Sequence, residues 1–354
     1  MTGNTLGWVI VAFVLYLLMM IAIGAFYAKG NNNSEDYFLG GRKLNGFVAA
    51  LSAQASDMSG WLLMGLPGAI YLTGVGGDGW IAIGLFIGTT LNWLFIATKL
   101  RRYTIRANNS VTLPTYFENR FHDEKKVLMT VSSITIVVFF LVYCASALSA
   151  GGQLFESVFG IDYHVALTIG ALVVLVYTFL GGFTAVCVTD FIQGMLMLVG
   201  ILAVPLFAYH FLTTGGTTLS AGLEASGADS ANFLNLMKNG DGSNNIISVI
   251  SGLGWGLGYF GMPHILVRFM AVRDEKEMTK SKATAISWVA LSLGFAVFIG
   301  ILGRAYLPEL VNGNNEKVFI EMIKKVFTVE MRAPFIAGLF LCGILAAIMS
   351  TADS

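Results

Sequence analysis

A carboxylate in the middle of a membrane-length apolar run constrains this chain more than anything else in it. The run extends from Asn45 to Tyr71, and its centre, Ala49 to Gly68, reads AALSAQASDMSGWLLMGLPG. It holds Ser52, Gln54, Ser56, Asp57 and Ser59, with Gly60, Gly65 and Pro67 following. A carboxylate at the centre of an isolated membrane helix costs about 2.5–3.5 kcal/mol on insertion scales. A cation, a water-filled cavity or a polar partner removes that cost. Irregular backbone at membrane depth is tolerated only where it lines such a cavity or is buried in protein. The stretch is therefore expected to be a broken span around an ion site.

Composition places the run in a bilayer. Of 354 residues, 56% are hydrophobic and 12% charged, against about 25% charged in a soluble domain. The formal net charge is zero, but the charges are confined to a few connections, so their placement carries the information. Cys144, Cys187 and Cys342 lie in apolar runs without metal-ligand spacing and are expected to pack. The 41 glycines suit close helix contact in a membrane. The first apolar run has no basic leader and is long enough to span, so a cleaved signal peptide is not expected.

At about 20 apolar residues per span, the candidates are 7–27, 45–71 (broken), 80–100, 127–153, 164–183, 185–211, 245–271 (broken), 283–306 and 333–354, about nine in all. Nothing alternates with the period of barrel strands. The expectation is an all-α protein made of one membrane domain over 1–354. Lys29, Arg42 and Lys43, then Lys99 to Lys126, then Arg268 to Lys282, fall on one side of this count. The positive-inside rule makes that side cytoplasmic and the N-terminus external. The later connection with Arg304, Lys317, Lys324, Lys325 and Arg332 argues the other way. Asn108-Asn109-Ser110 matches a glycosylation acceptor, but in the most basic connection it is discounted.

The seventh candidate contains Gly256, Gly258 and Gly261 in dinucleotide-fingerprint spacing, with no strand before it and no βαβ unit around it, so that reading is rejected. It does place Trp255, Tyr259 and Pro263 at i, i+4 and i+8, one helix face, with Pro263 interrupting the ladder. Alone, this could be a glycine-rich packing helix with aromatic filler. Interrupted segments at corresponding positions of two five-span units, however, are the signature of inverted-repeat transporters, whose substrate and ion sit at the midplane. The ninth candidate ends with Ala347, Ser350 and Thr351 on one face, two hydroxyls beside an open backbone. These can ligate a small hard cation or simply bond their own helix. Tyr143 suits packing or substrate contact equally, and Asp190, near a span start, suits a cap or a loop ion pair. The four histidines are scattered, no nucleophile elbow or paired carboxylates are present, and the basic loops lack interleaved aromatics. Neither an enzyme nor a nucleic-acid binder is expected.

Six pieces resemble the solute:sodium symporter family, most closely its bacterial sodium/proline symporters: DYFLGGRKL (36–44), LSAQASDMSGWLLMGLPGA (51–69), VYCAS (142–146), YTFLGGFTAV with TD (177–190), GWGLGYFGMPHILVRFMA (254–271) and ILAAIMST (344–351). The resemblance implies a LeuT-type five-plus-five inverted-repeat core preceded by one extra N-terminal helix. That divides the chain into 1–44 as extra helix and loop, 45–211 as first repeat and 245–354 as an incomplete second repeat. It implies sodium-driven uptake of L-proline, with Na+ as coupling ion and no other cofactor. The sodium ligands it implies are the carbonyls of Ala55, Met58 and Ala347 and the hydroxyls of Ser350 and Thr351. Asp57, Ser59 and Gly60 would support that site. Trp255, Tyr259 and Pro263 would enclose the substrate with Tyr143 nearby, and Arg42 and Asp190 match coupling positions. Beyond the lipid bilayer, no obligate protein partner is evident.

Two departures stand out. Gln54 occupies a position where close relatives are expected to carry a small residue. Ser354 falls partway along a span, so the second repeat has three helices and the chain is expected to be a fragment of a longer protein. Related symporters for another small carboxylate or a sugar, or a proline-binding membrane sensor, are the alternative functions.

Overall fold

The structure, a computed structural model, describes residues 3–27 and 34–354. Lys29 lies outside the described residues. Helices form along the apolar runs and stop at caps and breaks that the sequence encodes. α1 (Gly3–Tyr27) carries no charge. Short α2 (Ser34–Leu39) and a 3-10 turn, Gly40–Arg42, lead to Asn45, which caps α3 (Gly46–Gly60) by accepting from the Val48 N–H. A π-turn over Trp61–Gly65 joins α3 to α4 (Leu66–Thr73). Gly74, at φ 77, turns the chain into α5 (Val75–Leu91). A second π-turn, Asn92–Ile96, carries α5 into α6 (Ala97–Arg106).

α7 (Leu113–Phe121) starts with Thr112 and Thr115 capping each other. Long α8 (Val127–Phe159) and α9 (Tyr163–Thr214) follow, then short α10 (Leu219–Ala225) and α11 (Ser230–Phe233). α12 (Ile246–Trp255) passes through 3-10 turns, Gly256–Gly261, into α13 (Pro263–Ala271), with a bend of 47°. α14 (Glu275–Tyr306) is capped by Asp274, whose carboxyl the Glu277 amide holds below its usual range. α15 (Val318–Ile323) and α16 (Pro334–Ala352) complete the chain.

α3 is the hub. Ala49 through Gly60 are all buried, against α9, α13, α14 and α16, while α1 packs along α9 and α16. α5 touches α12 and the 3-10 turns after it backbone to backbone: a Cβ on Gly84 would lie 2.2 Å from the Gly252 carbonyl, and one on Gly88 2.1 Å from that of Gly256. Such contacts suit a membrane, where helices associate by close packing rather than by the hydrophobic effect. The outward faces of α1 and α8 are predominantly apolar, as lipid contact requires; Leu141 and Phe139 on α8 are 72% and 67% exposed.

Among the described residues, six helices are long and apolar enough to cross a membrane, or seven if the bent α12–α13 pair is one span. The spans 164–183 and 185–211 divide where expected: two helices meet within α9 at a non-helical kink at Gly182 (φ 64, ψ −167), with no loop between them. Other expected boundaries move. The third span extends to Arg106, so Lys99, Arg101 and Arg102 stand on the helix rather than in a connection. The eighth begins at Glu275, which puts Lys276, Lys280 and Lys282 on α14. Arg268, counted as a loop cation, is 1% exposed inside α13.

Candidate functional site

The first break falls at Ser59, whose backbone stands at φ 50, ψ −173. A non-glycine residue rarely enters that region, and holding one there costs on the order of 1–3 kcal/mol. Glycine would have been the expected hinge, but Gly60 is helical. Gly60 instead allows a close approach: a Cβ there would lie 3.2 Å from Ile348 of α16 and 3.3 Å from Ala150 of α8. The Ser59 hydroxyl accepts from the Trp61 N–H at 3.1 Å, partly tying the loose turn, and the Met58 carbonyl accepts from the same N–H.

Opposite this turn, α16 delivers its two hydroxyls. Ser350 Oγ donates to the Ala55 carbonyl at 2.9 Å and Thr351 Oγ1 to the Ser56 carbonyl at 2.9 Å. Both also reach back to the Ala347 carbonyl of their own helix, at 3.2 and 3.1 Å. These hydroxyls bond their own helix, as one of the two readings had it, and they also bridge to α3. Ala55, Ala347, Ser350 and Thr351 form one buried oxygen cluster between the two helices. Met58 is buried on the next turn, its carbonyl occupied by Trp61.

The side chain of Asp57 faces another wall. Its carboxylate meets the Tyr259 hydroxyl, and its Oδ2 is buried with no hydrogen-bond partner among the described residues. The Tyr143 hydroxyl donates to the Asp57 carbonyl at 2.9 Å, bringing α8 to the same turn. Trp255, Tyr259 and Pro263 do not share one face as an unbroken helix would have them. The 3-10 turns between them advance about 120° per residue instead of about 100°, which separates Trp255 from Tyr259. Trp255 is 50% exposed and stacks on Trp61, ring centres 5.8 Å apart, while Tyr259 is buried. Pro263 starts α13 and borders a cavity of about 610 Å³ with His264, Arg268 and Ser354. Tyr37 and Thr112, beside the basic connections, line the same cavity.

Asp190 is neither a helix cap nor a loop residue. It lies fully buried in α9, and its Oδ2 accepts from Arg268 at 3.0 Å, Ser52 at 2.6 Å and Ser56 at 3.1 Å. Arg268 also donates to Ser52 Oγ, to the His264 carbonyl and to Ser354 Oγ. Sequence reasoning missed this network. Its one signal was an arginine four residues after His264 inside an apolar run. Arg42 sits apart from the site and ties three segments together. It donates to Asn109 Oδ1, to Thr104 Oγ1 and to the Met270 and Ser110 carbonyls. Burial lowers its guanidinium from the ordinary value, while Glu35 nearby raises it. Gln54 is fully buried, and neither end of its amide has a hydrogen-bond partner among the described residues.

The sodium:solute symporter family model matches residues 37–354. The chain belongs to that family. Proteins named sodium/proline symporter align with it across 97% of its length: those of Salmonella typhimurium and Haemophilus influenzae at 45% identity and that of Escherichia coli at 44%. The alignments cover 66%, 67% and 66% of those proteins, so this symporter-family chain spans about two thirds of the relatives it matches. It shares the fold of a Na+-coupled sialic acid symporter solved in a substrate-bound outward-open state, with a TM-score of 0.79 over 98% of this chain and 71% of that one, at 20% identity. The family is one of multi-pass membrane transporters, not of enzymes.

Proposed function

We propose that this chain is the core of a sodium-driven L-proline importer working by alternating access. The observation that carries the reading is the oxygen cluster between α3 and α16, where two hydroxyls and three carbonyls converge beside an unwound turn. Hydroxyl and carbonyl oxygens without thiolate or imidazole suit a hard monovalent cation. Sodium would displace the Ser350 and Thr351 hydrogens from the Ala55 and Ala347 carbonyls, take the Met58 carbonyl as a further ligand and draw on the Asp57 charge. Ser59 and Gly60 would shape the turn around it. Filling that site pins α3 to α16 and sets the adjoining wall of Tyr143, Trp255, Tyr259 and Pro263 for proline. The coupling is reciprocal, so proline tightens sodium to the same degree.

The names of the relatives support proline as the substrate, and the half-helix ends at the two breaks suit an amino-acid carboxylate. Inward sodium gradient and membrane potential, worth about 2.3 kcal/mol per charge per 100 mV, bias the cycle toward uptake. Release would follow the cavity from Pro263 toward Tyr37 and Thr112. Arg42 and Asp190, each at the centre of a network spanning several helices, fit a role in coupling. The same reading takes 45–211 and 245–354 as two units of a LeuT-type inverted repeat. It gives about nine spans, an external N-terminus and a single domain in the inner membrane.

Labelled-proline uptake into proteoliposomes, with an inward sodium gradient or potassium in its place, tests this. Concentrative uptake is expected with sodium alone. Equal uptake with potassium or a proton gradient would remove sodium as the driver, and accumulation of a sugar or another carboxylate instead would replace proline.

A further inference from the structure

Pro263 has no amide hydrogen, so the carbonyl four residues earlier, that of Tyr259, loses the donor a continuous helix would provide. A buried carbonyl without a donor is unfavourable, and the structure supplies one from a different helix. Asn92 Nδ2 donates to the Tyr259 carbonyl at 2.8 Å, and the bond is buried. Asn92 itself is 1% exposed, and its Oδ1 has no hydrogen-bond partner among the described residues. The carbonyl acceptor therefore fixes which end of the amide points at the break.

Two features bring Asn92 there. It is the first residue of the π-turn Asn92–Ile96, where one extra residue per turn shifts the register of α5. The bare-backbone contact of Gly84 and Gly88 with Gly252 and Gly256 holds α5 against the segment that runs into the break. Thr89, one turn before Asn92, is also buried and neighbours the Tyr259 hydroxyl. The α5 side of the break thus holds Tyr259 through its backbone carbonyl.

We infer that Asn92 is a positioning residue of the substrate site: its amide replaces the hydrogen bond that Pro263 removes and so holds Tyr259 against Asp57. This rests on the reading of Tyr259 as part of the substrate wall. Residue 92 touches no proposed ligand of sodium, so its loss reaches the solute before the ion.

The test uses the full chain in lipid, with Asn92→Leu, the milder Asn92→Ala, and Asn92→Leu combined with Pro263→Ala. Two quantities are read. Backbone hydrogen exchange over residues 260–265 reports the break without any solute. The proline concentration for half-maximal uptake at saturating sodium, and the sodium concentration at saturating proline, report the site. Asn92→Leu is expected to speed exchange across the break and to raise the proline value about fivefold or more, leaving the sodium value within about twofold. Adding Pro263→Ala restores an amide hydrogen at position 263 and should shrink the exchange effect of Asn92→Leu to less than half.

Unchanged exchange in both single variants overturns the inference whatever the solute is. Faster exchange with an unchanged proline value overturns the positioning claim and takes Tyr259 out of the proline wall. A parent chain that accumulates some other solute sinks proline as substrate, while the exchange data still judge Asn92.

Discussion

Replacing Asp190 with asparagine and Arg268 with glutamine together should destabilise this protein by less than the sum of the two single replacements. Both partners are essentially unexposed, at 0% and 1%, and Arg268 spends donors on Asp190, Ser52, Ser354 and the His264 carbonyl. Asp190→Asn removes a carboxylate bonded to the guanidinium and strands buried positive charge, a loss of about 3–5 kcal/mol. An unfolding entropy of roughly 2.1 cal/mol/K per residue over 354 residues converts this to a fall of about 4–7 °C in apparent midpoint. Arg268→Gln strands the carboxylate instead and should cost a similar amount. The pair Asp190→Asn with Arg268→Gln carries no stranded charge and should fall short of the summed single losses by about 1–3 kcal/mol. The assay is thermal unfolding of the four proteins in one detergent, followed by intrinsic fluorescence and by retention of monodisperse protein. Strict additivity would refute the reasoning, because it would mean the charges do not see one another through the buried contact.

Three further outcomes follow from the geometry. Asp57→Asn, which keeps shape and removes charge beside the cluster, should raise the sodium concentration for half-maximal proline uptake about tenfold, and an unchanged value would take Asp57 out of ion binding. Trp255→Ala should weaken proline several-fold more than sodium in equilibrium binding; equal losses would point to a general unfolding of the break. Gly88→Ala puts a methyl 2.1 Å from the Gly256 carbonyl, so α5 and α12 must separate; its membrane yield and midpoint should drop well beyond the usual gain of a Gly→Ala change in a helix, and unchanged stability would show that the helices can part freely.

Much of the framework was legible because membrane helices announce themselves by length and composition. The carboxylate at Asp57, the glycine and proline interruptions and the paired hydroxyls at Ser350 and Thr351 could all be placed by counting residues. What the chain did not reveal were features decided by contacts between distant segments. Ser59 adopts the left-handed backbone because α16 and Tyr143 over-determine the turn, and nothing in its local sequence distinguishes it from Ser56. Arg268 looked like a loop cation because its acidic partner lies 78 residues away in another helix. The split of Trp255 from Tyr259 depends on a switch from α to 3-10 geometry, which residue spacing alone cannot show. Asn92 carried no signal either, since its task is set by a proline on another helix.

The glycine contact between α5 and α12 also bears on how such a protein can change over generations. A packed pair of side chains can drift, because a larger partner on one side can be balanced by a smaller one on the other. Where main chain meets main chain at Gly84, Gly88, Gly252 and Gly256, there is nothing left to shrink. No second substitution can rescue the first, so each of the four positions stands or falls alone. Such a seam leaves no trail of correlated changes, and a search for covarying residues would pass over one of the tightest contacts in the fold.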